Sequence, residues 1–200
     1  MANKIILTDC DGVLLDWEAA FQPWAVRQGY CYQRNANLHW SVGKKLGISE
    51  AETTMLIEKF NSSADFENLP ALRDSVAVVR RLHSQGWRFV IITSAGTHPW
   101  TRKLRQNNLD RVFGTGIFDE LYILPVTEHK GKILQNYRDQ NLYWIEDHID
   151  NALLGYNYGL RPLLVNHLSN SHYYGPMTRV GNWADIENIV NSPPWPARAL

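Results

Sequence analysis

Cysteine, net charge and long apolar runs are all scarce in this chain, and each scarcity excludes something. Its 200 residues hold only two cysteines, Cys10 and Cys31. They lack the paired spacing of a zinc site, and a chain of this size needs no disulfide to secure its core. A reducing cytoplasm is the expected compartment. Twenty basic residues balance twenty acidic ones for a formal net charge of +0. No Lys/Arg run is long enough to track a phosphate backbone, so a nucleic-acid polymer is not an expected partner. No segment reaches the ~18 to 20 apolar residues that cross a bilayer, and the first residues lack the apolar core and cleavage-like end of a leader. A soluble, unprocessed protein that meets no membrane is expected. Internal repeats and low-complexity blocks are also missing. The length suffices for one buried α/β core with a modest insertion, and not for two large domains.

What is present is an alternation of short apolar runs with amphipathic stretches. The runs Lys4 to Thr8, Arg88 to Thr93, Glu120 to Leu124, Leu142 to Ile145 and Pro162 to Val165 read as parallel strands buried on both faces. Between them, Asp74 to Gln85 carries Val76, Val79 and Leu82 at helical spacing, with an acidic start and Gly86 just past its end. The pattern predicts a doubly wound, Rossmann-like α/β fold with a parallel sheet and ligands at the carboxyl ends of its strands. Residues 17–70 separate the first strand from the next by far more than a crossover helix needs. They read as a small helical cap inserted after the first strand. Trp17 to Gln28 and Ser49 to Phe60 are its clearest helices, the second opening on a Ser49/Glu52 capping box. The expected division is therefore a catalytic core over 1–16 and 71–191, a cap over 17–70 and an irregular, proline-rich tail over 192–200.

Four strand ends and turns carry the candidate chemistry. The first strand delivers Asp9 and Asp11 into the turn at Gly12. Side chains two apart in an extended segment share a face, so both carboxylates can converge on one ligand while Cys10 points away. One can attack phosphorus and the other can move a proton. Two anions beside a phosphate require a hard cation, and Mg2+ is the expected cofactor. The run from Phe89 ends in Thr93 and Ser94 followed by small residues, a hydroxyl and amide clamp for an anion or, more plainly, a helix N-cap. His129-Lys-Gly-Lys offers Lys130 and Lys132 at a helix start. The two positions differ by roughly 200° around a helix, so only one can face the site. The run from Leu142 ends in the adjacent acids Glu146 and Asp147, whose burial requires a metal or partner. Asp147 is the expected direct metal ligand and Glu146 acts through a coordinated water. Asp150 is an alternative ligand or a helix cap, and Asn151 follows it.

In order and spacing these elements resemble the haloacid dehalogenase (HAD) superfamily over Ile5 to Asn151. Asp9, Cys10, Asp11, Gly12 and Val13 match its first motif, Thr93 its second and Glu146-Asp147 its fourth. Its third-motif lysine often precedes a Gly or Pro, which favours Lys130 over Lys132. The resemblance implies a phosphatase in which Asp9 is the nucleophile and Asp11 the general acid and base. It also implies a metal site built from the carboxylates of Asp9 and Asp147 and the backbone carbonyl of Asp11, under a substrate-selecting cap.

The stretch from Asp9 to Trp17, the segment Asp65 to Leu72 and the Thr93-Ser94 pair are similar to the 5′(3′)-deoxyribonucleotidases. Glu146 stands where that family has Asp, and the cap shows little similarity. Trp17, Phe21, Trp40 and Phe66 are the aromatics expected to receive a nucleobase as a group, although any single one reads first as part of the cap's own core. The expected substrate is a small phosphorylated molecule, a nucleoside monophosphate first and a sugar or other organic phosphate second. A phosphomutase and a non-catalytic phosphate-ligand binder are the alternatives.

Overall fold

Every strand of the sheet runs parallel, and its order explains where a ligand can sit. The structure, a computed structural model, describes residues 4–192. It opens with β1 (Ile5–Thr8), then α1 (Trp17–Arg27), α2 (Val42–Leu46), α3 (Glu50–Asn61) and α4 (Ser75–Ser84). The chain re-enters the sheet at β2 (Arg88–Thr93) and continues through α5 (Pro99–Phe113), β3 (Phe118–Ile123) and α6 (Gly131–Leu134). It ends with β4 (Tyr143–Glu146), α7 (Ile149–Asn157), β5 (Arg161–Val165), β6 (Thr178–Val180) and α8 (Trp183–Asn191). The sheet order is β3-β2-β1-β4-β5-β6. Strand order therefore reverses at β1 and β4, which opens a crevice beyond their carboxyl ends.

Alternation along the strands builds two cores. Ile6, Phe89, Ile91, Tyr143, Ile145 and Leu163 face a larger cluster that includes Val78 and Leu82 of α4, Leu109 of α5 and Ile186 of α8. Leu7, Val90, Ile92 and Trp144 face the other side, with Leu134 of α6. This is the doubly wound α/β arrangement the sequence predicts, with two differences. β3 is half-exposed along its length rather than buried on both faces, because it is an edge strand. β6 is an additional edge strand of three residues. The irregular tail expected over 192–200 lies outside the described residues apart from Ser192, which caps the end of α8.

Between β1 and α4, residues 17–70 form α1, α2, α3 and two 3₁₀ turns, Ala36–Leu38 and Ala64–Asn68. Ser49 caps α3 by accepting from the Glu52 N–H at 3.3 Å. The reciprocal half of the expected box is replaced, because the Glu52 carboxylate accepts from the Tyr30 hydroxyl at 3.0 Å. The chain leaves and re-enters the sheet side by side: Asp16 N–H donates to Pro70 O and Leu72 N–H to Leu14 O, both at 2.9 Å. Phe21, Trp24, Phe60 and Phe66 of the insertion pack into the larger core.

Candidate active site

Residues at the ends of β1, β2 and β4, with Lys130 from the turn before α6, surround one cavity of ≈ 1450 Å³. Asp9 directly follows β1, and its N–H donates to Ile145 O of β4 at 2.8 Å, which fixes the two strand ends together. Lys130 lies at the N-terminus of α6 with its side chain 2% exposed, whereas Lys132 faces solvent. The Lys130 Nζ sits 2.8 Å from Asp9 Oδ1 and 2.8 Å from Glu146 Oε2. The Cys10 N–H also donates to Asp9 Oδ1, at 2.6 Å. Glu146 Oε1 accepts from the backbone N–H groups of Asp147 and His148. Its carboxylate therefore holds Lys130 with one oxygen and the turn after β4 with the other.

Asp147 has the opposite character. It is buried, and its Oδ1 has no hydrogen-bond partner among the described residues. One carboxylate oxygen from each of Asp9, Glu146 and Asp147 lies within 4.8 Å of the others. An unpartnered buried carboxylate oxygen beside two further acids is a donor set that a hard divalent cation satisfies. The turn at Gly12 preserves the space for this arrangement. Gly12 has φ +76°, and a Cβ there would stand 2.0 Å from Asp147 Oδ2.

Electrostatics agree with the geometry. Burial pushes the Asp9 carboxyl up to about 6, with Lys130 pulling the other way. Asp147 is raised well above the usual carboxylate range by burial and by the charges of Glu146 and Asp9. A carboxyl whose pKa is higher folded than unfolded binds more protons when folded, so stability falls as pH rises through that window. For Asp9 the window runs from 3.8 to about 6, and Asp147 also titrates above its unfolded value. In chelator, Asp147→Asn should therefore be more stable than wild type at alkaline pH, with the gap narrowing as pH falls and the wild-type carboxyl takes up its proton. Adding Mg2+ should raise the Tm of wild type and not of the variant. Equal melting of the two proteins throughout would remove the cluster as a metal site.

Thr93 ends β2, is buried and lines the cavity. Ser94 lines it too, but its hydroxyl donates to Glu128 O at 3.1 Å. The Asp11 side chain is not part of the acidic trio: both its oxygens accept from Arg105 Nη2, at 2.7 and 2.6 Å. Burial raises the Asp11 pKa, and the Arg105 charge opposes this. Asp150 is exposed on the first turn of α7, while Asn151 lines the cavity.

Among the aromatics, Trp17 and Trp40 line the cavity, joined by Tyr32. Trp17 Nε1 donates to Asn61 Oδ1 at 2.9 Å, and the Trp40 ring lies 4.7 Å from that of His148. The expectation that Phe21 and Phe66 meet substrate is corrected. Both are fully buried, with Phe21 stacked on Trp17 at 4.2 Å and Phe66 under the Arg105 guanidinium. Sequence reasoning also missed two polar residues. Arg105 lies mid-helix, where an arginine ordinarily reads as surface. The His167 Nε2 sits 2.8 Å from Gly12 O and 3.6 Å from Asp147 Oδ2. Its position just beyond β5, at a carboxyl strand end, was the available signal.

No family model matches the chain. It is 27% identical, across 94% of its own length and 70% of the other's, to an uncharacterized 32.4 kDa protein of Enterobacteria phage T4 from the Gp30-rIII intergenic region. Solved structures share its fold. A haloacid dehalogenase-like family hydrolase from Streptococcus pneumoniae superposes with a TM-score of 0.66 at 15% identity, covering 95% of this chain and 99% of that one. A predicted phosphatase from Clostridium acetobutylicum gives 0.70 at 13%, with the same coverages of 95% and 99%. YfnB from Bacillus subtilis, bound to magnesium, gives 0.63 at 13%, covering 96% and 100%. The fold is therefore that of the HAD hydrolases and phosphatases, and a buried acidic cluster lies at the carboxyl end of its sheet. Among the described residues no helix is long and apolar enough to cross a membrane.

Proposed function

We propose that this protein is a magnesium-dependent phosphomonoester hydrolase that works through an aspartyl-phosphate on Asp9. The observation that carries this reading is the placement of Asp9 in contact with the Lys130 ammonium and within the acidic trio, in a cavity that Thr93 also lines. Lys130 and Cys10 N–H both engage Asp9 Oδ1, so Oδ2 is the oxygen that attacks phosphorus. As the Asp9 O–P bond forms, the bond from phosphorus to the ester oxygen breaks and Asp11 gives that oxygen its proton. Asp11 then takes a proton from water, whose oxygen bonds to phosphorus as the Asp9 O–P bond breaks and phosphate leaves. Asp9 and Asp147 would hold Mg2+, which neutralises the converging anions and draws charge from the phosphoryl oxygens. Lys130 and Thr93 add a cation and a hydroxyl to the same task.

The substrate proposed first is a nucleoside monophosphate, as in the deoxyribonucleotidases the motifs resemble. Trp17, Tyr32 and Trp40 around one cavity supply the flat faces on which a base stacks. A sugar or other polar phosphate is the second reading, favoured by a different feature of the same cavity wall. There Glu18 accepts from the Tyr32 hydroxyl at 3.2 Å and from Lys45 at 2.5 Å, a hydrogen-bonding surface suited to hydroxyls. Magnesium-dependent phosphate release from a panel of nucleoside monophosphates and sugar phosphates separates the two. Nucleotides should be preferred, and Trp40→Leu should raise their KM about tenfold with kcat little changed. Preference for sugar phosphates would install the second reading, and release from no ester would overturn the hydrolase.

A further inference from the structure

Arg105 sits where a hydrocarbon would ordinarily pack. It lies mid-helix in α5 and is fully buried, and its Nε and Nη1 have no hydrogen-bond partner among the described residues. Burying a guanidinium costs several kcal/mol, so a purely space-filling role would favour Leu or Met. Its polar contacts all go to one place. Nη2 bridges both oxygens of Asp11 and supplies the side-chain hydrogen bonds that carboxylate receives. The Phe66 ring centroid lies 4.1 Å from Cζ, a cation–π contact that braces the guanidinium. Phe66 belongs to the inserted segment, in the 3₁₀ turn Ala64–Asn68 packed against α5.

We propose that Arg105 is a positioning residue for Asp11, clamped in turn by Phe66, and that it holds the carboxylate where it can exchange a proton with the leaving oxygen. The inference rests on the reading of Asp11 as acid and base given above. Its consequence is selective. An alkyl ester needs its leaving oxygen protonated, whereas 4-nitrophenolate leaves readily without help. Loss of Arg105 should therefore slow formation of the aspartyl-phosphate far more from the first than from the second, whereas hydrolysis of that intermediate, which needs Asp11 as base, slows equally for both.

The test compares Arg105→Ala and Arg105→Lys with wild type on an alkyl phosphate and on 4-nitrophenyl phosphate, alone and in an Asp11→Asn background. For Arg105→Ala, kcat/KM, which reports formation of the aspartyl-phosphate, should fall ~100-fold on the alkyl ester and under ~10-fold on the aryl ester. Adding Arg105→Ala to Asp11→Asn should cost less than ~2-fold more, since the two residues act as one unit. Circular dichroism checks folding. If the alanine variant does not fold, Arg105→Lys carries the test, because a compact ammonium on a flexible stem lacks the planar group braced against Phe66 and holds Asp11 less firmly. It should show the same selectivity at smaller size. Equal loss of kcat/KM on both esters, multiplicative loss in the double variant, or a lysine variant indistinguishable from wild type would overturn the assignment. Wild type inactive on every ester would instead overturn the hydrolase reading, and this inference with it.

Discussion

Asp9→Asn should abolish phosphate release while leaving the protein folded, with kcat down by at least ~10⁴-fold. An amide oxygen cannot serve as the attacking carboxylate, and Glu146 and Asp11 are committed to other partners. Glu146 is engaged by Lys130 and two backbone N–H groups, and Asp11 is engaged by Arg105. The fold should survive for an electrostatic reason. Lys130 keeps Glu146 as its partner, so the substitution leaves no unpaired cation, and it removes one of the charges that raise the Asp147 pKa. In chelator the variant should melt at or above the wild-type temperature. An Asp9→Asn protein that retains a few per cent of wild-type turnover would remove Asp9 as nucleophile.

Substitution of Lys130 should damage both activity and stability, which sets it apart from Asp9. Its ammonium is buried, touches two carboxylates at 2.8 Å and lies 5.3 Å from the Trp144 ring centroid. Lys130→Met would leave Asp9, Glu146 and Asp147 facing one another with no protein cation at their centre. Breaking a buried pair in this way typically costs ~3–5 kcal/mol, and loss of a phosphate-binding cation should slow turnover by at least ~100-fold. Lys130→Met/Glu146→Gln separates the two effects. It removes the stranded charge and should recover much of the urea stability, but none of the activity. Full recovery of both would make Lys130 merely a counter-ion to Glu146, and wild-type behaviour of Lys130→Met would remove it from the site.

The buried strands were readable in the sequence because a parallel sheet covered on both faces demands continuous apolar runs such as Phe89 to Ile92. That logic fails at the edges. β3 carries Asp119 and Glu120, and β6 has only three residues, too short to give a pattern. Asp9, Thr93, Lys130, Glu146 and Asp147 could be picked out because each is a polar residue at the end of an apolar run or at a helix start, and the fold brings those ends together. The aromatics gave no such signal. Trp17 and Phe21 lie one helical turn apart on α1, yet Trp17 reaches the cavity and Phe21 points wholly into the core. Spacing places residues on a face of a helix and does not say how deep that face is buried. Arg105 is the extreme case, since its role depends on Asp11 and Phe66, which are distant in sequence and meet only in the folded chain.

The decisive measurement is the capture of a phosphoryl group on Asp9. In Asp11→Asn, 4-nitrophenyl phosphate should still transfer its phosphoryl group, because its leaving group needs no proton. Hydrolysis of the product should stall for want of a base. Acid quenching followed by mass spectrometry should then find the phosphoryl group on the peptide containing Asp9 and should find none in Asp9→Asn. Magnesium-dependent phosphate release by wild type, with the phosphoryl group on another residue or on none, would contradict the mechanism.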